Sequence, residues 1–227
     1  MKKEDILRLI KGKLIVSCQA LEEEPLHSSY IMSRMAVAAM QGGASGIRSN
    51  SYEDIKAIKS VVDLPVIGLI KRIYSDSEIY ITSTIKEVDE IVSAGADIVA
   101  MDATARLRPN GVSLEEFYGE IHERYKDIII MADISNYEEG VNAEKLGFDI
   151  IGTTLCGYTS YTFGTELPNY DLIDMLVKKL DIPVIAEGGI GNPEQLKKIM
   201  NMGIFSAVVG TAITRPRDIT KRFVNVI

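Results

Sequence analysis

Lys71 and Glu187 are the two side chains best suited to move a proton. Lys71 follows Ile67-Gly-Leu-Ile, at the end of a short apolar run. A lone lysine there can simply extend its head to solvent along an apolar stem. Arg48 closes a neighbouring run, however, and a nearby cation with partial desolvation lowers a lysine pKa toward that of a neutral-pH base. Glu187 sits within Ala186-Glu-Gly-Gly-Ile-Gly, where two glycines leave the carboxylate beside open backbone. Asp133 closes another run and can either bind hydroxyl groups or cap the helix expected at Asn136. Gln19 follows the first run. Gly188-Gly189-Ile190 and Gly210-Thr211-Ala212, the latter followed by Arg215, suit an anion, because glycine lets backbone N–H groups approach closely and arginine adds a charge-assisted bond. Two plain turns and an Arg215–Asp218 pair would read the same way. Thr153 and Asp102 also close apolar runs and serve equally well as turn formers. His27 suits a structural hydrogen bond and His122 a solvated helix face.

The elements that must place these residues repeat along the chain. Eight short apolar runs appear: Leu14–Cys18, Ala44–Ile47, Pro65–Ile70, Ile98–Met101, Ile128–Ala132, Ile150–Gly152, Pro183–Ala186 and Ala207–Val209. Continuous apolar runs of this length mark strands buried on both faces. Helix-period segments separate or follow them: 28–40, 51–61, 83–94, 113–125, 136–146, 170–180, 192–202 and 218–226. Ser113–Glu116, Asn136–Glu139 and Asn192–Gln195 carry capping-box spacing. Asp63-Leu-Pro-Val-Ile-Gly and Asp181-Ile-Pro-Val-Ile-Ala repeat one strand entry. Eight strand–helix units predict an α/β fold, a (β/α)₈ barrel occupying residues 1–227 as one domain, with an open doubly wound sheet as the alternative. In such a barrel, strands three and seven lie across from each other. Lys71 and Glu187 would then face one another over a bound ligand, an arrangement suited to removing a proton from one face of a carbon and delivering one to the other. The segment 156–169, rich in Tyr, Thr and Gly, reads as an active-site loop.

Composition narrows the classes. The 227 residues include 25 Lys plus Arg and 32 Asp plus Glu, a net charge of −7, with 46% apolar residues. That is a globular chain without the basic footprint of a nucleic-acid binder. Residues 1–13 lack a signal-peptide core and no apolar run is long enough to span a bilayer, so a cytoplasmic protein without membrane partners is expected. Cys18 and Cys156 form no CxxC pair. There is no HExxH, P-loop or GxGxxG, so neither a metal nor a nucleotide cofactor is expected.

Several segments together carry a resemblance: Gln19-Ala-Leu with Pro25-Leu-His-Ser, Gly42-Gly-Ala with Ile47-Arg48, Gly68-Leu-Ile-Lys-Arg, and Met101-Asp-Ala-Thr with Arg106 and Arg108-Pro109. Ala132-Asp-Ile-Ser, Gly157-Tyr-Thr, Ala186-Glu-Gly and Val209-Gly-Thr-Ala-Ile-Thr-Arg complete it. In order, and over nearly the whole chain, they resemble the N-acetylmannosamine-6-phosphate 2-epimerases. The resemblance implies a cofactor-free homodimeric barrel of sialic-acid breakdown, joined through its C-terminal helix. It would interconvert N-acetylmannosamine 6-phosphate and N-acetylglucosamine 6-phosphate. By the same resemblance Lys71 and Glu187 match the acid/base pair, and Gln19, Arg48, Asp133 and Arg215 match the sugar and phosphate contacts. Gly189 departs from similar members that carry Arg or Asn there, so any contact by that side chain would be absent. Two other readings stay open: a Schiff-base aldolase or lyase using Lys71, and a non-catalytic phosphosugar-binding barrel. A larger-substrate isomerase would need an aromatic slot, and the chain has no Trp.

Overall fold

Eight parallel strands close into a ring in chain order in the computed structural model, which describes residues 2–227. Met1, the first residue of the charged amino-terminal stretch, lies outside the described residues. The strands are β1 (Leu14–Cys18), β2 (Gly46–Asn50), β3 (Val66–Leu69), β4 (Ile98–Asp102), β5 (Ile129–Asp133), β6 (Ile150–Gly152), β7 (Val184–Glu187) and β8 (Ser206–Val209). β8 pairs back onto β1, with Leu14 opposite Ala207 and Val16 opposite Val209. The helices are α1 (Lys3–Ile10), α2 (Ser29–Gln41), α3 (Tyr52–Lys59), α4 (Ile85–Ser93), α5 (Leu114–Arg124), α6 (Tyr137–Leu146), α7 (Tyr170–Lys179), α8 (Pro193–Met200), α9 (Thr211–Thr214) and α10 (Pro216–Val224). The expected (β/α)₈ barrel is therefore the fold, and the open-sheet alternative is not.

Period two along each strand sorts residues between two cores. Ile15, Ile67, Leu69, Ile98, Ala100, Ile129, Met131, Ile150, Ile185 and Val208 fill the barrel interior, with Ile6 and Ile10 of α1 packed on the same cluster. The alternate residues, among them Val16, Ile47, Val66, Val99, Ile130, Ala132 and Ile151, pack against the surrounding helices. Continuing the inward series toward the carboxyl ends of the strands reaches charge: Arg48 on β2, Asp133 on β5 and Glu187 on β7. The uppermost layer of the interior is polar where the lower ones are apolar.

Expected caps form at three helix starts. Ser113 and Glu116 make a reciprocal box, while Asn136 and Asn192 accept from Glu139 N and Gln195 N. The Glu139 and Gln195 side chains reach one residue further back, to the backbone N–H groups of Ser135 and Gly191. Asp133 does not cap α6, since Asn136 does so itself.

Three elements differ from expectation. β2 runs to Asn50 rather than stopping at Ile47, so Arg48 is an internal strand residue; its polar tail Arg48-Ser49-Asn50 interrupts the apolar run but stays paired, Arg48 with Ile67 and Asn50 with Leu69. α1 was hidden by its charges, although Ile6 and Ile10 have the spacing of one helix face and are both buried. α9 is only four residues long, too short to leave a periodic signature.

Candidate active site

Arg48 organises the polar layer. Its side chain is 1% exposed and that of Asp133 is fully buried. Arg48 Nη2 donates to Asp133 Oδ2 at 2.6 Å and Nη1 to Oδ1 at 3.1 Å. Nη1 also lies 2.9 Å from Glu187 Oε2. Burial opposes the guanidinium charge, but the two carboxylates more than offset it and keep Arg48 protonated. One cation thus ties strands two, five and seven together at the barrel mouth.

Lys71 sits two residues past β3, where its backbone N–H is held by Asn50 Oδ1 at 2.8 Å. Burial lowers its pKa, Arg48 and Arg215 lower it further, and Glu187 and Asp133 oppose them. Glu187 moves the other way. Burial pushes its carboxyl up to about 7, against Arg48 and with the like charge of Asp133. Opposed shifts of this kind bring an acid and a base toward the same working pH.

The two groups line one cavity of about 450 Å³ at the strand carboxyl ends. Gln19, Arg48, Gly189, Gly210, Thr211 and Arg215 line it too. Asp133 does not; it lies beneath, with its oxygens committed to Arg48 and to Thr154 Oγ1 at 2.6 Å. Asp102 is also buried, receiving Thr104 N at 2.9 Å and Arg106 Nη2 at 2.6 Å, so it holds its loop. Arg215 pairs with Glu24 at 3.2 Å, whereas Asp218 lies 3.5 Å from Arg217. His27 Nδ1 lies 3.2 Å from the carbonyl of Ala20, and His122 stacks beside Tyr118 at 5.9 Å. Among the described residues there is no group of three or more His, Cys, Asp or Glu that could hold a metal ion, and no helix is long and apolar enough to cross a membrane.

Gly189 has a positive φ of 71°, and a Cβ there would stand 2.3 Å from Leu167 Cβ and 2.9 Å from its carbonyl carbon. The 156–169 segment packs directly on this glycine. The missing side chain is therefore a steric requirement of that loop in this chain, and the backbone of Gly188 and Gly189 faces the cavity.

Polar lining residues that the sequence did not mark as candidates include Ser17, Tyr80, Thr154 and Arg222. Ser17 lay inside an apolar run, although inward alternation from Ile15 marks it. Tyr80 belongs to the excursion between β3 and α4, folded back by the Lys71–Ile81 bridge. Arg222 comes from α10, whose sequence signalled only an amphipathic terminal helix.

The family model described as "Putative N-acetylmannosamine-6-phosphate epimerase" matches residues 32–227. This chain belongs to the N-acetylmannosamine-6-phosphate epimerase family. A relative from Caldanaerobacter subterraneus subsp. tengcongensis, named "Putative N-acetylmannosamine-6-phosphate 2-epimerase", is 56% identical over 223 residues, which are 98% of this chain and 94% of that one. A Clostridium perfringens relative of the same name is 54% identical over 98% of this chain and 100% of its own. The solved N-acetylmannosamine-6-phosphate 2-epimerase of Clostridium perfringens matches with a TM-score of 0.94 at 54% identity, covering 98% of this chain and 96% of that one. A thiamine phosphate pyrophosphorylase from Pyrococcus furiosus, 22% identical with a TM-score of 0.64, shares the fold alone. Membership in an epimerase family places this epimerase in the isomerase class of enzymes.

Proposed function

We propose that this epimerase interconverts N-acetylmannosamine 6-phosphate and N-acetylglucosamine 6-phosphate, with Lys71 and Glu187 as its acid/base groups. The observation that carries the reading is the meeting, in one cavity, of a lysine made more acidic with a carboxyl made less acidic. In the open-chain sugar the C2 hydrogen is α to the C1 aldehyde. Removing it gives an enolate, which needs a positioned base and nearby positive charge. Arg48 and protonated Lys71 supply that charge. Return of a proton to the other face of C2 inverts the centre, and no electrons or protons are consumed overall.

The far end of the cavity suits the phosphate. Backbone at Gly189, Gly210 and Thr211 lines it together with Arg215, between the loops after β7 and β8 where barrels hold phosphates. Phosphate bound there orients the reacting carbon, so remote binding energy serves the chemical step. Gln19 is assigned a sugar contact. Arg48 faces both Glu187 and the ligand space, and Asp133 acts on the ligand through Arg48.

The same reading places the enzyme in sialic-acid breakdown, acting without a cofactor in the cytoplasm. It also makes the enzyme a homodimer joined through α10, which buries none of its residues and leaves Phe223 72% exposed. The lowered Lys71 pKa equally favours imine chemistry, and borohydride added with substrate separates the two by trapping an adduct on Lys71 only in that case. The direct test is proton NMR in D₂O. N-acetylglucosamine 6-phosphate should lose its C2 proton signal as the manno epimer appears, unaffected by EDTA. Epimerisation with full retention of that proton would overturn the mechanism.

A further inference from the structure

Two consecutive threonines after β6 grip Glu187. Thr153 holds its backbone, with Oγ1 donating to the Glu187 carbonyl at 2.8 Å and accepting from the Glu187 N–H at 3.0 Å. Thr154 reaches its side chain. Thr154 Oγ1 lies 2.6 Å from Asp133 Oδ1 and 3.3 Å from Glu187 Oε2. Gly152 lies close to this pair: a Cβ there would stand 2.3 Å from Met131 Cε, 3.1 Å from Thr154 Oγ1 and 3.2 Å from Asp133 Oδ1. A hydroxyl carries one proton and two acceptor lone pairs, so it cannot donate fully to two carboxylates at once.

We propose that Thr154 is a positioning residue for Glu187, its hydroxyl donating to the Glu187 carboxylate when that group is ionised and to Asp133 when Glu187 carries a proton. The inference rests on the assignment of Glu187 as a proton-transfer group. In the ionised state Glu187 is ion-paired with Arg48 and takes the hydrogen bond of Thr154. In the protonated state its own O–H turns to Thr154 Oγ1, and the threonine proton points to Asp133. Thr154 keeps its own proton in both states, and the proton that Glu187 gains or gives up is the one exchanged with C2 of the substrate. The carboxyl therefore keeps one orientation through both halves of the reaction. The charged groups facing Glu187 are Arg48 from β2, Lys71 beyond β3 and Asp133 from β5. Thr154 is the group among its neighbours that can reverse its hydrogen bond without changing charge.

The test compares Thr154→Val and Thr154→Ser in the full-length enzyme with the C2-proton exchange assay, across pH, alongside Glu187→Gln. Valine keeps the shape and removes the hydroxyl. It should lower kcat by about 10-fold or more, the scale of one hydrogen bond to a charged group, with KM changed by less than about threefold. The acid-side limb of kcat/KM should move to higher pH, because the carboxylate has lost a donor. Serine should restore both. Wild-type kcat and pH profile in Thr154→Val, with Glu187→Gln inactive, would overturn the role of Thr154 alone. A fall in kcat with an unmoved limb and no recovery by serine assigns it a packing role and overturns it too. Full activity in Glu187→Gln would overturn both this inference and the acid/base assignment beneath it. If the valine variant fails to fold, Thr154→Ala carries the same comparison.

Discussion

Removing the Asp133 carboxylate should cost the fold about 3 kcal/mol and most of the activity. Asp133→Ala strips Arg48 of two hydrogen bonds, at 2.6 and 3.1 Å, inside a layer where neither side chain is more than 1% exposed. Breaking a buried ion pair from one side costs about 3–5 kcal/mol, because the remaining charge stays buried without its partner. Glu187 still lies 2.9 Å from Arg48 Nη1, so compensation is partial and the low end applies. For a domain of this size that loss lowers Tm by about 6–12 °C, and at a urea slope of about 2 kcal/mol/M it moves the midpoint by about 1.5 M. Far-UV circular dichroism through urea and heat measures both. A companion double variant, Arg48→Met with Asp133→Leu, removes the whole pair. It should regain most of the lost stability, since apolar replacement of an intact buried pair is often neutral or better, while remaining inactive. If Asp133→Ala unfolded within about 0.5 kcal/mol of wild type, the view of Asp133 as the buried counter-charge of Arg48 would be wrong.

Lys71→Met and Glu187→Gln should each lower kcat by at least ~10²-fold with unchanged circular dichroism, the scale of general acid–base groups; near-normal turnover in either removes that residue from its role. Arg215→Ala should cost about 10–100-fold in kcat/KM on the phosphorylated sugar and much less on the non-phosphorylated one; equal loss on both would make its Glu24 pairing the whole story. Gly189→Ala should destabilise the fold by about 1–3 kcal/mol through its positive φ and its collision with Leu167, read from the urea midpoint; a neutral result would show that loop 156–169 yields easily. Glu187 is protonated more readily in the folded than in the unfolded chain, so its contribution to stability is present at low pH and lost as pH rises through about 7. Wild type should therefore gain stability relative to Glu187→Gln as pH falls from about 8 to about 5, and a constant difference in urea midpoint would refute the raised carboxyl.

The barrel was legible because strands buried on both faces leave unbroken apolar runs, and Lys71 and Glu187 stood out as charges closing two of them. Legibility failed where chemistry interrupts the pattern. Arg48-Ser49-Asn50 looks like a strand's end by hydrophobicity, yet it is the part of β2 that carries the site. Asp133 was visible as a candidate but not as a buried partner, because the 85 positions of sequence that separate it from Arg48 conceal the ring closure that joins them. Thr154 had no signal of its own. Its importance comes from standing between two carboxylates on different strands, a relation fixed by three-dimensional placement. The α1 helix was obscured by charges that mask its buried stripe, whereas α10 was legible as a helix although its residues stay unburied.

The seam between β8 and β1 has a consequence for biosynthesis. Thr214 Oγ1 donates to the carbonyl of Ser17 at 2.7 Å, across 197 positions of sequence. Gln19 from one side of that seam and Gly210, Thr211 and Arg215 from the other line the same cavity. A chain still emerging from the ribosome can pair its first strands but holds no finished cavity until the last ones dock. Contacts between distant parts of a chain form late because their loop entropy must be met first. Recovery of catalysis during refolding should therefore lag behind recovery of secondary structure, and turnover becomes a stopwatch for the moment the ring shuts.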